Sequence, residues 1–184
     1  MRLTLLFITL LYCAMAPAQT NDPVSIYDFR NSGHDIAWGV QDDTVMGGVS
    51  QGKVELTEKG NARFHGHVSL ENDGGFSSIL YTLPQPVDVK GRSKFVVRLK
   101  GDGKDYTLRV KDDPDHNYYF EHTFPTSGEW EQVEVPFGKM SAVHHGEPVD
   151  VPNFSGGMVH KVQFLIGNKK EQDFEVLIDR IEAK

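Results

Sequence analysis

Cysteine is almost missing from this sequence: one occurs in 184 residues, at position 13. It falls in a leader-like stretch. Met1-Arg2 makes a short positive start, Leu3 to Met15 is an almost unbroken apolar run, and Ala16-Pro17-Ala18 puts small residues at both specificity positions of a signal-peptidase site. Residues 1–18 therefore read as a signal peptide cleaved after Ala18. A permanent anchor would need about 20 apolar residues, and lipid attachment at Cys13 would need a small residue where Tyr12 stands. The mature chain then lacks any thiol, which excludes a disulfide framework and a cysteine nucleophile. Some 166 residues remain, enough to bury one core unaided. The expected location is outside the cytoplasm, in the bacterial periplasm.

Basic charge is also scarce. Without the leader, 18 Lys and Arg stand against 26 Asp and Glu, a net charge of −8 with His neutral, and no basic cluster stands out. That disfavours nucleic acid and polybasic membrane docking. After the leader no apolar run is long enough to span a membrane, and no stretch keeps a 3.6-residue apolar period beyond about two turns. No Ser/His/Asp pattern stands out and Gly-x-Gly-x-x-Gly is missing, so neither a catalytic triad nor a phosphate cradle is expected, and the chain reads as a non-enzyme.

What is present is alternation. Phe95, Val97 and Leu99 share one face of a strand, as do Val162, Phe164 and Ile166, and Phe174, Val176 and Ile178. Ten strands are expected, near 25–29, 53–57, 62–69, 76–82, 94–100, 106–111, 118–124, 131–137, 159–166 and 174–182. Turn signals punctuate them: Glu58-Lys59-Gly60-Asn61, Gly101-Asp102-Gly103 and Asp112-Asp113-Pro114-Asp115. The pattern predicts an all-β protein, an antiparallel jelly-roll β-sandwich forming a single domain over 24–184, with a flexible tail at 19–23 and a long loop over 141–157.

Several groups could carry chemistry. Asp42 to Ser50 contains Gly47-Gly48. It reads as a tight crossover capped by Asp43, or as a loop offering Asp43, Met46 and Ser50 to a ligand. Asn72-Asp73-Gly74-Gly75 is a turn signal whose first two side chains could also bind. His65 and His67, at i and i+2 on a strand, could share a transition metal, with Glu71 beyond, as in cupins. They also fall on the solvent side of their strand, and no later Pro-x-Gly histidine completes a cupin set. His144-His145 makes a poor chelate in the long loop. The carboxylates of Asp112, Asp113 and Asp115 beside His116 read as a solvated turn. Asp28 and Asp179 are candidates for a structural calcium, and no cofactor is otherwise expected. Trp38 and Trp130 are expected in the core, and Tyr118 or Tyr119 at the surface, where a sugar ring could stack.

Read in order, Trp38-Gly39-Val40-Gln41-Asp42-Asp43-Thr44-Val45-Met46-Gly47-Gly48-Val49-Ser50, Phe64-His65-Gly66, Gly74-Gly75-Phe76-Ser77-Ser78, Lys100-Gly101-Asp102-Gly103 with Tyr106, and Trp130 with Val135-Pro136-Phe137 resemble the complex I intermediate-associated protein 30 family, from about Ile26 to Ala183. The resemblance implies a galactose-binding-domain-like jelly roll without catalytic activity. It also points to Asp43, Met46, Ser50, Asn72, Asp73, Asp102, Tyr106 and Tyr119 as positions that could meet a ligand or partner. Mitochondrial relatives help assemble respiratory complex I, whereas a leader would send this chain elsewhere. The resulting expectation is a secreted binding or assembly module engaging a protein partner or a glycan. The alternative is a carbohydrate-active or metal-dependent jelly-roll enzyme.

Overall fold

The computed structural model describes residues 22–31, 33 and 36–184. The leader read over 1–18 and the first three residues of the expected tail lie outside them. Thirteen strands follow in chain order: β1 (Val24–Asp28), β2 (Gly39–Asp42), β3 (Gln51–Leu56), β4 (Ala62–Val68), β5 (Ser77–Asp88), β6 (Lys94–Lys100), β7 (Asp105–Lys111), β8 (Tyr119–Pro125), β9 (Trp130–Pro136), β10 (Ser141–His144), β11 (Glu147–Pro148), β12 (Met158–Ile166) and β13 (Gln172–Ala183). Among the described residues no helix is long and apolar enough to cross a membrane.

Every pairing is antiparallel. One sheet runs β3-β4-β13-β6-β9, with β1 also on β13, and the other runs β11-β10-β8-β7-β12-β5-β2. Strands distant in sequence are thus neighbours in space, as a jelly roll requires. The alternating residues read from the sequence face one another across the gap. Phe64, Val97, Leu99, Val176 and Ile178 come from the six-stranded sheet, and Ile79, Leu108, Phe164 and Ile166 from the seven-stranded one, all fully buried. Period-2 burial on each sheet supplies most of the stabilisation, at about 25 cal/mol per Å² of apolar surface removed from water.

Two elements depart from expectation. The stretch 141–157 is not one loop. Ser141 to Pro148 folds as the β10–β11 hairpin, with His145 (φ 50°) and Gly146 (φ 83°) at its tip. The remainder carries Phe154 into one end of the sandwich, 4.9 Å from Phe137 and 5.4 Å from Phe120 between ring centres. Trp38 is core, stacked on Tyr81 at 5.6 Å. Trp130 is not. It opens the edge strand β9 on the outer side, 39% exposed, with the Arg98 guanidinium 5.5 Å from its ring. The alternation of β9 puts Val133 and Val135 inward, and the strand end leaves Trp130 uncovered. The two tryptophans should therefore separate in solution. Trp130→Phe is expected to remove the iodide-quenchable emission at a cost of about 1 kcal/mol or less, and Trp38→Phe to leave that emission in place.

Candidate functional site

Asp43 and its loop partners meet at the corner where β2, β3 and β5 converge. A 3-10 turn over Asp43–Met46 ends on Gly47 in the left-handed region (φ 90°). The chain then folds back so that Asp43, 3% exposed, accepts from the Ser50 amide (3.1 Å), the Ser50 hydroxyl (2.6 Å) and the amides of Gly75 (2.6 Å) and Phe76 (3.3 Å). Burial works to raise its pKa. The hydrogen bonds from Ser50, Gly75 and Phe76 outweigh burial and hold the carboxyl below the usual carboxylate value. The Ser50 hydroxyl also takes the Ser69 amide (3.0 Å), and Asn72 donates to the Gly47 carbonyl (3.1 Å). A Cβ at Gly48 would overlap the Asp43 carboxylate, and one at Gly74 would come within 2.7 Å of it.

Next door, Asp42 takes the Gly52 amide (3.0 Å) and the Ser77 hydroxyl (2.5 Å). Asp43, Ser50 and Asn72 are brought together, and the two buried ones, Asp43 and Ser50, bond to each other and to backbone. They form a knot that holds two loops, not a surface offered to a ligand. Asp73 is exposed at φ 59°, and its side chain makes no hydrogen bond among the described residues. The side chain of Met46 lies outside them.

Asp102 and Tyr106 are hydrogen-bonded to each other. Tyr106 is wholly buried, stacked on Phe164 at 5.4 Å, and its hydroxyl donates to Asp102 (3.2 Å). Burial first, then the Asp102 charge, raises its pKa. Asp102 also takes the Lys104 ammonium (2.7 Å) and the Glu175 amide (2.9 Å). These residues close the β6–β7 turn, and Tyr106 cannot reach a ligand from the core.

The calcium candidates do not fit a cation. Asp179, 3% exposed, is surrounded by Arg30 (3.0 Å), Arg98 (3.2 Å) and Arg180 (2.8 Å), with the Asn61 amide at 3.1 Å. Three guanidinium groups occupy the place a cation would need. Asp28 is turned to the Arg30 amide and Asn31.

His65 and His67 do lie on the outer side of β4, but each has its own carboxylate. His65 sits 3.4 Å from Glu55, which Lys53 and then Arg63 hold down at about 2, and His67 sits 2.8 Å from Asp173. Among the described residues no three of His, Cys, Asp and Glu come together to hold a metal. Asp112 is paired with His116 at 2.9 Å, and His144 with the Asn117 carbonyl.

Tyr119 leads to the outer face of the seven-stranded sheet. There side chains pair across strands in successive rows. Thr107 and Thr123 hydroxyls meet at 2.7 Å, Arg109 holds Glu121 at 2.6 Å, and Lys111 lies 5.2 Å from the Tyr119 ring. Gln163 opposes Arg109 and donates to Ser78 at 2.8 Å, while Lys161 opposes Lys111. Thr107, Ser78 and Gln163 are buried although they point away from the core. Burial raises the Tyr119 phenol, with Arg109 partly opposing, so the hydroxyl is a neutral donor at pH 7. Of these residues only Tyr119 stood out in the sequence. The usable signal is the polar phase of β7, β8 and β12, whose alternate residues are 107/109/111, 119/121/123 and 161/163.

The model of the family described as complex I intermediate-associated protein 30 (CIA30) matches residues 27–178. The chain belongs to this family. The Asp43 knot is thus built from two of the motifs that carry the CIA30 resemblance. Among curated proteins no sequence matches the chain.

Solved structures share the CIA30 domain's fold at low identity. The family 11 carbohydrate-binding module from Clostridium thermocellum, in complex with a β-1,3-1,4-mixed-linked tetrasaccharide, has a TM-score of 0.64 at 16% identity, over 88% of this chain and 94% of the module. A family 30 carbohydrate-binding module has 0.53 at 15%, over 88% and 98%. The agarase AgWH50C has 0.58 at 11%, over 88% of this chain and 24% of the agarase. At these identities the likeness establishes the galactose-binding-like jelly-roll sandwich and nothing finer.

Proposed function

We propose that this CIA30 domain is a secreted, non-catalytic recognition module that takes a glycan on the outer face of its seven-stranded sheet. The observation that carries the reading is the cross-strand ladder Thr107–Thr123, Arg109–Glu121 and Lys111–Tyr119. A sheet face presenting the Thr123 hydroxyl, the Arg109 guanidinium and the Tyr119 ring in fixed register offers hydroxyl-rich rings both hydrogen bonds and an apolar platform. Two of the modules that share the fold are carbohydrate-binding, one of them bound to a tetrasaccharide. Chemistry on the glycan is disfavoured because hydrolysis needs two free carboxyl groups flanking the bond. The carboxylate at the centre of this face, Glu121, is tied to Arg109. The leader-like residues 1–18 support export, where such a module would meet polysaccharide.

Glycan-array screening of the purified chain tests the reading. Binding is expected, and Tyr119→Ala should weaken it about tenfold, equivalent to 1.4 kcal/mol, with the unfolding temperature unchanged. Full binding by Tyr119→Ala, or no glycan bound at all, overturns it.

A further inference from the structure

Lys111 and Lys161 stand directly opposite each other on β7 and β12. Like charges facing across a sheet repel. Several outward strand charges elsewhere are matched: Arg63 to Glu175 (2.5 Å), Lys94 to Glu134 (2.6 Å), Arg109 to Glu121 (2.6 Å). Neither Lys111 nor Lys161 has a carboxylate within 4.0 Å among the described residues, and Lys111 instead lies over the Tyr119 ring at 5.2 Å. Both are partly buried, so their stems lie along the sheet and hold the two ammonium groups to this face without a counter-charge. Thr82 extends the row beyond Lys161. Strands lie about 4.8 Å apart, so Thr82 to Tyr119 runs about 15 Å across four strands. With Arg109 cancelled by Glu121, this row leaves an unpaired positive strip on a chain whose net charge is −7.

We infer that the row Thr82–Lys161–Lys111–Tyr119 is an anion subsite, and that the glycan taken by this face is acidic. The inference rests on the glycan reading of the same face. A carboxylate or sulfate on the sugar sits between the two ammonium groups and relieves their repulsion, while a neighbouring ring lies on Tyr119 and the Thr82 hydroxyl bonds at the far end. A neutral glycan would leave both lysines unpaired under the ligand, a desolvation cost with nothing in return.

Affinity electrophoresis of the full chain tests this, in native gels cast with polygalacturonate for carboxylate, dextran sulfate for sulfate, and mixed-linkage β-glucan as the neutral polymer. Retardation is expected with a charged polymer, which one telling carboxylate from sulfate, and it should weaken in about 0.5 M salt. The double variant Lys111→Gln/Lys161→Gln should lose at least tenfold in affinity with an unchanged unfolding temperature, whereas Lys53→Gln on the other sheet should lose nothing. Retardation by the neutral polymer alone overturns the anion subsite and leaves the glycan reading standing. Acid-polymer binding that the double variant retains places the anion elsewhere and also overturns it. No retardation by any polymer overturns both.

Discussion

Gly66→Ala is expected to destabilise the domain by about 4 kcal/mol, a fall of roughly 8–16 °C in unfolding temperature for a chain of this size. Gly66 lies mid-strand in β4, between Gly52 on β3 and Phe174 on β13. Its φ is 157°. A Cβ there would overlap the Gln51 carbonyl oxygen and stand 2.9 Å from that carbonyl carbon and 3.0 Å from the Gly52 Cα. All of these are backbone atoms, so no side chain can swing aside. The strands must separate or the ladder between them must break, which adds backbone strain to overpacking. Gly128→Ala is the control, because a Cβ there meets nothing within 4 Å, and it should lie within about 0.5 kcal/mol of the parent. Thermal and urea unfolding of both variants measures the difference. Equal stability of Gly66→Ala and the parent would show that β3 and β4 can part without loss.

The Gly66 geometry marks the boundary of what the residue order reveals. Alternation exposed the interior because each strand reports its own burial: Phe95, Val97 and Leu99 face the core as their spacing demands. Pairing is not local. Nothing within β12 says that it lies between β5 and β7, so Lys161 and Lys111 could not be seen as neighbours, nor Gln163 as the partner of Ser78. The glycines of the family motif were legible as backbone features. The reason for each needed the fold: Gly52 has no room for a Cβ beside the Ser77 hydroxyl and Asp42, and Gly101 none beside Thr126. The hairpin over 141–148 was missed for a different reason. Its strands are four and two residues long, too short for alternation to register. Trp130 shows the opposite failure, since an apolar residue at a strand end has no covering neighbour to bury it.

Asp43→Asn tests whether the family motif is architecture or a ligand site, and it is expected to cost about 3 kcal/mol at pH 7. The carboxylate accepts four hydrogen bonds, three of them from backbone amides of Ser50, Gly75 and Phe76. An asparagine turns an NH2 group toward donors, so at least one of these amides is left buried and unpaired. The pH dependence separates this loss from simple packing damage. The folded carboxyl titrates below its ordinary value of 3.8, so between the folded and unfolded values the unfolded chain binds more protons. Stability from Asp43 is therefore complete above the unfolded value and is lost as pH falls through the folded one. The gap between parent and Asp43→Asn in urea unfolding should hold constant from pH 7 to about 5 and narrow on further acidification. Asp73→Asn, in the same loop pair but exposed and with no side-chain hydrogen bond among the described residues, should track the parent within about 0.5 kcal/mol throughout. An Asp43→Asn variant as stable as the parent, but unable to bind what the parent binds, would return the motif to the ligand.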